Sequence, residues 1–154
     1  MIYELAQLRP DLFTPHIQTL IDELPNANRR MIWGILQFLN VMSDDNPKII
    51  IQNLDMILEA SDVSSVIAKD NMMAILAKLS AKKRYYSFLT PIILQRLSYS
   101  APNQFPTYVE LIAKNIKEKN KTALKQIIKE RVKDISSPTK QKRLKTVLIQ
   151  LGDI

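Results

Sequence analysis

Between residues 120 and 145 the chain reads NKTALKQIIKERVKDISSPTKQKRLK, with a lysine or arginine at nearly every second or third position. Cations so spaced suit a row of phosphates, where each neutralised phosphate releases a counterion and makes affinity steeply dependent on salt. They equally suit the solvated end of a larger body. Lys121, Lys125, Lys129 and Lys133 recur at four-residue spacing opposite Leu124, Ile128 and Ile135, so on a helix they share its solvent side. Lys114, Lys117, Lys142 and Lys145 are the better candidates for holding anions or nucleic acid, because they fall on a different set of helices from that terminal row.

Trp33 is the only tryptophan and stands beside Arg30, Gln37 and Asn40 at helical intervals. A large aromatic flanked by an arginine and amides has the composition of an interface anchor, since it removes much area from water while its N–H still finds a partner. It has equally the composition of a residue packed between adjacent helices.

Catalytic chemistry finds little material. His16 is the one histidine and has no nearby acid and hydroxyl arrangement; it is read as a surface or partly buried residue rather than a base. Asp55 and Glu59 lie one helical turn apart, as paired metal-binding carboxylates would, but a solvated acidic face explains them more simply. With Gly34 and Gly152 the only glycines, no glycine-rich phosphate loop is available. The absence of cysteine excludes disulfides, thiol nucleophiles and cysteine-held zinc. The expectation is no enzyme, no cofactor and no metal.

Composition bounds what could position these residues. A chain of 154 residues, 46% of them hydrophobic and only 2 of them glycine, fits one helix-rich globular domain burying about 68–70% of its unfolded surface. No apolar run approaches the ~18 residues needed to cross a bilayer, and MIYELAQLRPDLF lacks a signal peptide's basic region and cleavage site. The expected setting is the cytoplasm, with no membrane. Charge is segregated: residues 1–80 hold 6 basic against 10 acidic side chains, a net of −4, and residues 81–154 hold 16 against 5, a net of +11. That asymmetry bears on partners rather than on fold.

Internal repetition organises the chain. RRMIWGILQFLN (29–40) aligns without a gap on KDNMMAILAKLS (69–80), pairing Ile32 with Met72, Gly34 with Ala74, Ile35 with Ile75, Leu36 with Leu76 and Leu39 with Leu79. The spacing i, i+3, i+4, i+7 is a buried helical stripe, and the paired small residue would let a neighbouring helix come close. PTYVELIAKNIK (106–117) and QKRLKTVLIQLG (141–152) extend this second-helix, or B, series. The first-helix, or A, series comprises FTPHIQTLIDEL (13–24), whose Ile17, Gln18, Leu20 and Leu24 match Ile51, Gln52, Leu54 and Leu58, then FLTPIILQRL (88–97), sharing a Thr-Pro pair, and Ala123 to Ile135. Breaks fall at LPNAN, SDDNP, EASD, SYSAPNQFP and DISSPT, where Asp44, Asp45, Asn46, Asp62 and Ser137 suit capping. Met31, Met42, Met56 and Met72 suit gaps in a core.

On these residues the chain resembles HEAT or armadillo-type repeats: Pro15, Asp22, Arg29 or Arg30, Gly34, Ile35 and Leu36 in the first repeat, with Asp62, Lys69, Ala74, Ile75 and Leu76 in the second. The third and fourth repeats lack a clear aspartate between helices, and Thr146 stands where a small apolar residue is usual. Intervals of 40, 37 and 35 residues, from Leu39 to Leu79, Ile116 and Leu151, argue against tetratricopeptide and ankyrin arrays.

The resemblance implies an all-α, right-handed superhelix of about four helix pairs at 11–42, 46–80, 82–117 and 121–152, preceded by a half-repeat helix, Ile2 to Leu8. That opening helix suits either a cap or an excerpt of a longer array. The resemblance also implies that B helices line a concave face. Its contact stripe would be Arg30, Trp33, Gln37 and Asn40; then Asp70, Met73, Ala77 and Ser80; then Thr107, Glu110, Lys114 and Lys117; and last Lys142, Lys145 and Ile149. The expected role is a scaffold that binds another protein or peptide, with Arg30, Trp33, Gln37, Asn40, Met73 and Glu110 as contacts. The alternative is a nucleic-acid-binding module working through the basic C-terminal half. A remoter resemblance, to bacterial DNA-alkylation-repeat glycosylases, rests on Trp33 and Asp70.

Overall fold

Apolar residues at helical spacing and capping residues at the breaks give a chain that is helical almost throughout. The computed structural model describes residues 2–153, and no strand occurs among them. They fall into two compact units, Met1–Leu79 and Ser80–Ile154.

The first unit holds α1 (Ile2–Leu8), α2 (Pro10–Phe13), α3 (Ile17–Asp22), α4 (Arg29–Met42), α5 (Pro47–Gln52), α6 (Leu54–Asp62) and α7 (Val66–Ala81), the last running just past its end. The opening helix thus has the bounds expected of it. The centre is α4. Asn28 starts it, its side-chain oxygen accepting from the Met31 N–H at 2.9 Å, which satisfies one orphan donor of the first turn. Ile32, Ile35, Leu36, Phe38, Leu39 and Met42 form its buried side. Helices α1, α3 and α6 pack on α4, Ala6 of α1 is fully buried, and the rings of Phe13 and Phe38 meet edge to face with centroids 6.1 Å apart.

Helix α4 closes with its own polar residues. The Ser43 hydroxyl donates to the Asn40 carbonyl at 2.9 Å, and the Asn46 amide donates to the Met42 carbonyl at 3.1 Å. Asn46 therefore ends the preceding helix instead of capping the next one with its side chain. Ser137 caps as expected, accepting from the Lys140 N–H.

Three expectations about packing are corrected. The A-series alignment is out of phase, because Ile50, Leu54 and Ile57 are the buried residues, and Ile51 and Leu58 are only half-buried. The cause is Asn53. With φ −112° and ψ 17° it interrupts the helix between α5 and α6, and its amide donates back to the Ile49 carbonyl at 2.8 Å and exchanges bonds with Gln18 at 3.0 and 3.2 Å. Met31 is 39% exposed rather than core, since it sits in the first turn of α4 before the stripe begins. At Gly34 no helix comes close: an added Cβ would meet nothing within 4 Å.

The second unit holds α8 (Lys83–Tyr99), α9 (Phe105–Ala113), α10 (Glu118–Arg131) and α11 (Pro138–Gln150). Helix α8 packs on α10 and α9 on α11, while α8 meets α9 and α10 meets α11, so two successive hairpins lie side by side. The Thr-Pro pairs are not equivalent: Thr14 and Pro15 form a 3-10 turn before α3, whereas Pro91 is inside α8. There the Thr90 hydroxyl donates to the Tyr86 carbonyl at 2.6 Å. Helix α9 ends at Ala113, leaving Ile116 outside it.

Several long-range polar links join residues between 31 and 38 positions apart, whereas Lys129 and Asp153 are linked across 24. Gln18 to Asn53, Asn40 to Asn71, Tyr86 to Asn120, Arg143 to Glu110 and Lys78 to Asn40 join residues 35, 31, 34, 33 and 38 apart.

Candidate functional site

One side of α4 is buried, and the other carries Arg30, Trp33, Gln37 and Asn40, spaced 3, 4 and 3 residues apart and therefore aligned along the helix. Arg30 is exposed and the other three are half-buried. Beside Trp33 the surface is open, because of the space at Gly34. The four residues expected at one stripe of α4 are thus brought together.

Helix α7 borders this face, touching it through Asn71 and Lys78. Met73, Ala77 and Ser80 are buried at 4, 3 and 5% exposure, so Met73 is not a contact residue. Of the residues expected there Asp70 is exposed, and beside it Ile67 is exposed while Asn71, Ala74 and Lys78 are half-buried. The Asn40 amide donates to the Asn71 side-chain oxygen at 3.0 Å, and the Asn71 amide donates to the Ile67 carbonyl at 2.9 Å. Lys78 Nζ reaches the Asn40 carbonyl at 2.6 Å and the Asp44 carboxylate at 3.7 Å, placing a cation at the C-terminal end of α4, where the helix dipole favours it. Sequence reasoning missed Asn71 and Lys78 because α7 is apolar nearly all round, which leaves the phase of its outer stripe unmarked.

Two polar atoms on the α4 face lack partners. Trp33 Nε1 and Asn40 Oδ1 are buried from solvent and accept or donate no hydrogen bond. The indole N–H is turned inward, so what Trp33 offers outward is ring surface.

In the second unit, Glu110 is already engaged. Arg143 grips it through Nε at 2.8 Å and Nη2 at 2.6 Å, and Nη2 also donates to the Thr107 hydroxyl at 3.0 Å. This two-pronged pairing fixes orientation as well as charge, and it holds the Glu110 carboxyl below its ordinary value of 4.5, with Lys114 adding to the effect.

The basic residues divide into two groups. Lys114, Lys142 and Lys145 are exposed. Lys117 is exposed too, but its Nζ lies 4.2 Å from the centre of the Tyr86 ring, and its backbone N–H donates to the Tyr86 hydroxyl at 2.8 Å. Arg131 is committed to structure, donating to the carbonyls of Leu97, Ser98 and Ser100 at 2.9, 2.9 and 2.7 Å. It closes the C-terminal end of α8. No family model, curated protein or solved structure matches the chain.

His16 is exposed in the 3-10 turn before α3. Asp55 and Glu59 are exposed on α6, and among the described residues no group of three or more acidic, histidine or cysteine side chains is gathered for a metal. No helix among them is long and apolar enough to cross a membrane.

Proposed function

We propose that this chain is a protein-binding scaffold of HEAT or armadillo type, about four helix pairs in a right-handed solenoid preceded by α1, and that a protein partner docks on the face of α4 bordered by α7. Three things support the repeat reading: the recurring interval of 31 to 38 residues between bonded side chains, the side-by-side hairpins of the second unit, and the sequence motifs of the first two repeats.

The observation that carries the docking reading is the line Arg30, Trp33, Gln37 and Asn40, exposed at Arg30 and half-buried at the other three, with Asn40 already bonded to Asn71 of α7. It combines a cation, a ring surface and two amides beside the open space at Gly34, a composition in which aromatic and arginine residues contribute most of the affinity.

Gly34→Arg fills that space without reaching the core, so it separates loss of binding from loss of folding. Affinity capture from extracts of the cells that make the protein, compared between wild type and Gly34→Arg at equal melting temperature, is expected to lose the specific partners. A partner set unchanged by both Gly34→Arg and Trp33→Ala overturns the reading.

A further inference from the structure

Helices α6 and α10 carry opposite charge in the same spacing. On α6, Asp55 and Glu59 are exposed one turn apart, about 6 Å along the axis. On α10, Lys125 and Lys129 repeat that four-residue step, and Lys133 continues it into the following turn. These lysines border a shallow open groove of about 510 Å³, with Gln126, Glu130 and Asp153.

The groove already seats one carboxylate, because Asp153 bonds Lys129 Nζ at 2.8 Å. We propose that this chain associates with a second copy of itself, the Asp55 and Glu59 carboxylates of one copy docking on the Lys125 to Lys133 row of the other. Charge complementarity selects the occupant: the half of the chain holding α6 is net −4 and the half holding α10 is net +11, and each copy supplies both surfaces at matched concentration. A phosphate backbone laid along the same groove meets Glu130 and Asp153 and finds no aromatic ring among the lining residues for a base to stack on. Of Asp55, Glu59, Lys125, Lys129 and Lys133, all but the half-buried Lys125 are exposed, so each pair is weak and screened by salt, and the lysine stems add some apolar contact.

The test is sedimentation of the full chain after nuclease treatment, in about 0.01 M salt, where charges act over roughly 30 Å, and in about 1 M salt, where they act over about 3 Å. Mass is expected to rise with protein concentration at low salt and to return to the single-chain value at high salt. Lys125→Glu at a half-buried position and Glu59→Lys at an exposed one, both checked by unchanged melting, are each expected to weaken association about two- to fivefold. An equimolar mixture of the two recovers it, since each variant retains the surface the other has lost. Single-chain mass throughout overturns the proposal, as does persistence in high salt, failure of either variant to weaken association, or failure of the mixture to recover it. A low-salt mass increase that disappears with nuclease also overturns it and assigns the lysine row to nucleic acid.

Discussion

The guanidinium of Arg131 lies over the ring of Phe105, 4.8 Å from its centre, and its N–H groups are turned onto the last carbonyls of α8. A residue from the most basic stretch of the chain is thus only 15% exposed and ties the helix it caps to the start of α9. Replacing it with alanine leaves those carbonyls without their charged donor and is expected to cost about 2–3 kcal/mol in urea unfolding, with the slope unchanged. Arg131→Lys is expected to recover less than half, because an ammonium lacks the planar fork that serves three carbonyls and the Asp134 carboxylate and stacks on a ring.

Trp33 separates packing from polarity. Its buried Nε1 has no partner, and an unmatched buried donor costs about 1–3 kcal/mol. Trp33→Phe keeps most of the ring and deletes that donor, so unfolding is expected to show no loss of stability or a gain of up to about 1 kcal/mol. Trp33→Ala is expected to cost about 2 kcal/mol, below the range for a fully buried aromatic, because the side chain is half-exposed. A loss above about 2 kcal/mol for Trp33→Phe would show that the N–H has a partner in solution.

How much of this was legible in the sequence follows from the physics of each element. The buried stripe of α4 is read directly from Ile32, Ile35, Leu36 and Leu39, because a helix with one wet side must alternate at its own period. The outward stripe of α7 is not, since Met72, Met73, Ile75, Leu76 and Ala77 are all buried and its few polar residues, Lys69, Asp70, Asn71 and Lys78, are spread around the helix and do not mark one phase. Asn53 shifts the core of α6 by breaking a helix with a side chain that competes for backbone groups, and nothing in an aligned apolar pattern signals that. The lysine and arginine run hides two different fates: composition counts Arg131 and Arg143 with the lysines, yet only the fold reveals the carbonyls and the carboxylate they hold. Trp33, Gln37 and Asn40 were found by spacing alone, because helical register within one unbroken helix carries over to space without tertiary information.

Gly34 offers a direct stability gain. A small residue there suggests close helix contact, but an added Cβ meets nothing within 4 Å, so glycine contributes only backbone entropy to the unfolded chain. Gly34→Ala is expected to stabilise by about 0.5–1 kcal/mol, seen as a higher urea midpoint. Destabilisation instead would show that a neighbouring helix does approach this point.

The pair of Glu110 and Arg143 sets the response of the second unit to acid. Hydrogen bonding to Arg143 favours the charged carboxylate and outweighs the opposing effect of its partial burial, so the folded-state value lies below 4.5. A depressed carboxyl stabilises the fold fully above its unfolded value and loses that contribution as pH falls through the folded one. The window therefore opens near 4.5 and extends downward. Both side chains are more than a third exposed, at 37% and 35%, so solvent screening limits the contribution to about 1 kcal/mol or less. Wild type and Glu110→Gln are expected to differ most at neutral pH and to converge in acid, with the difference flat above pH 5.5 or so. Urea midpoints collected across that range check this, and a difference that grows as pH falls would mean that the protonated form is the one the fold prefers.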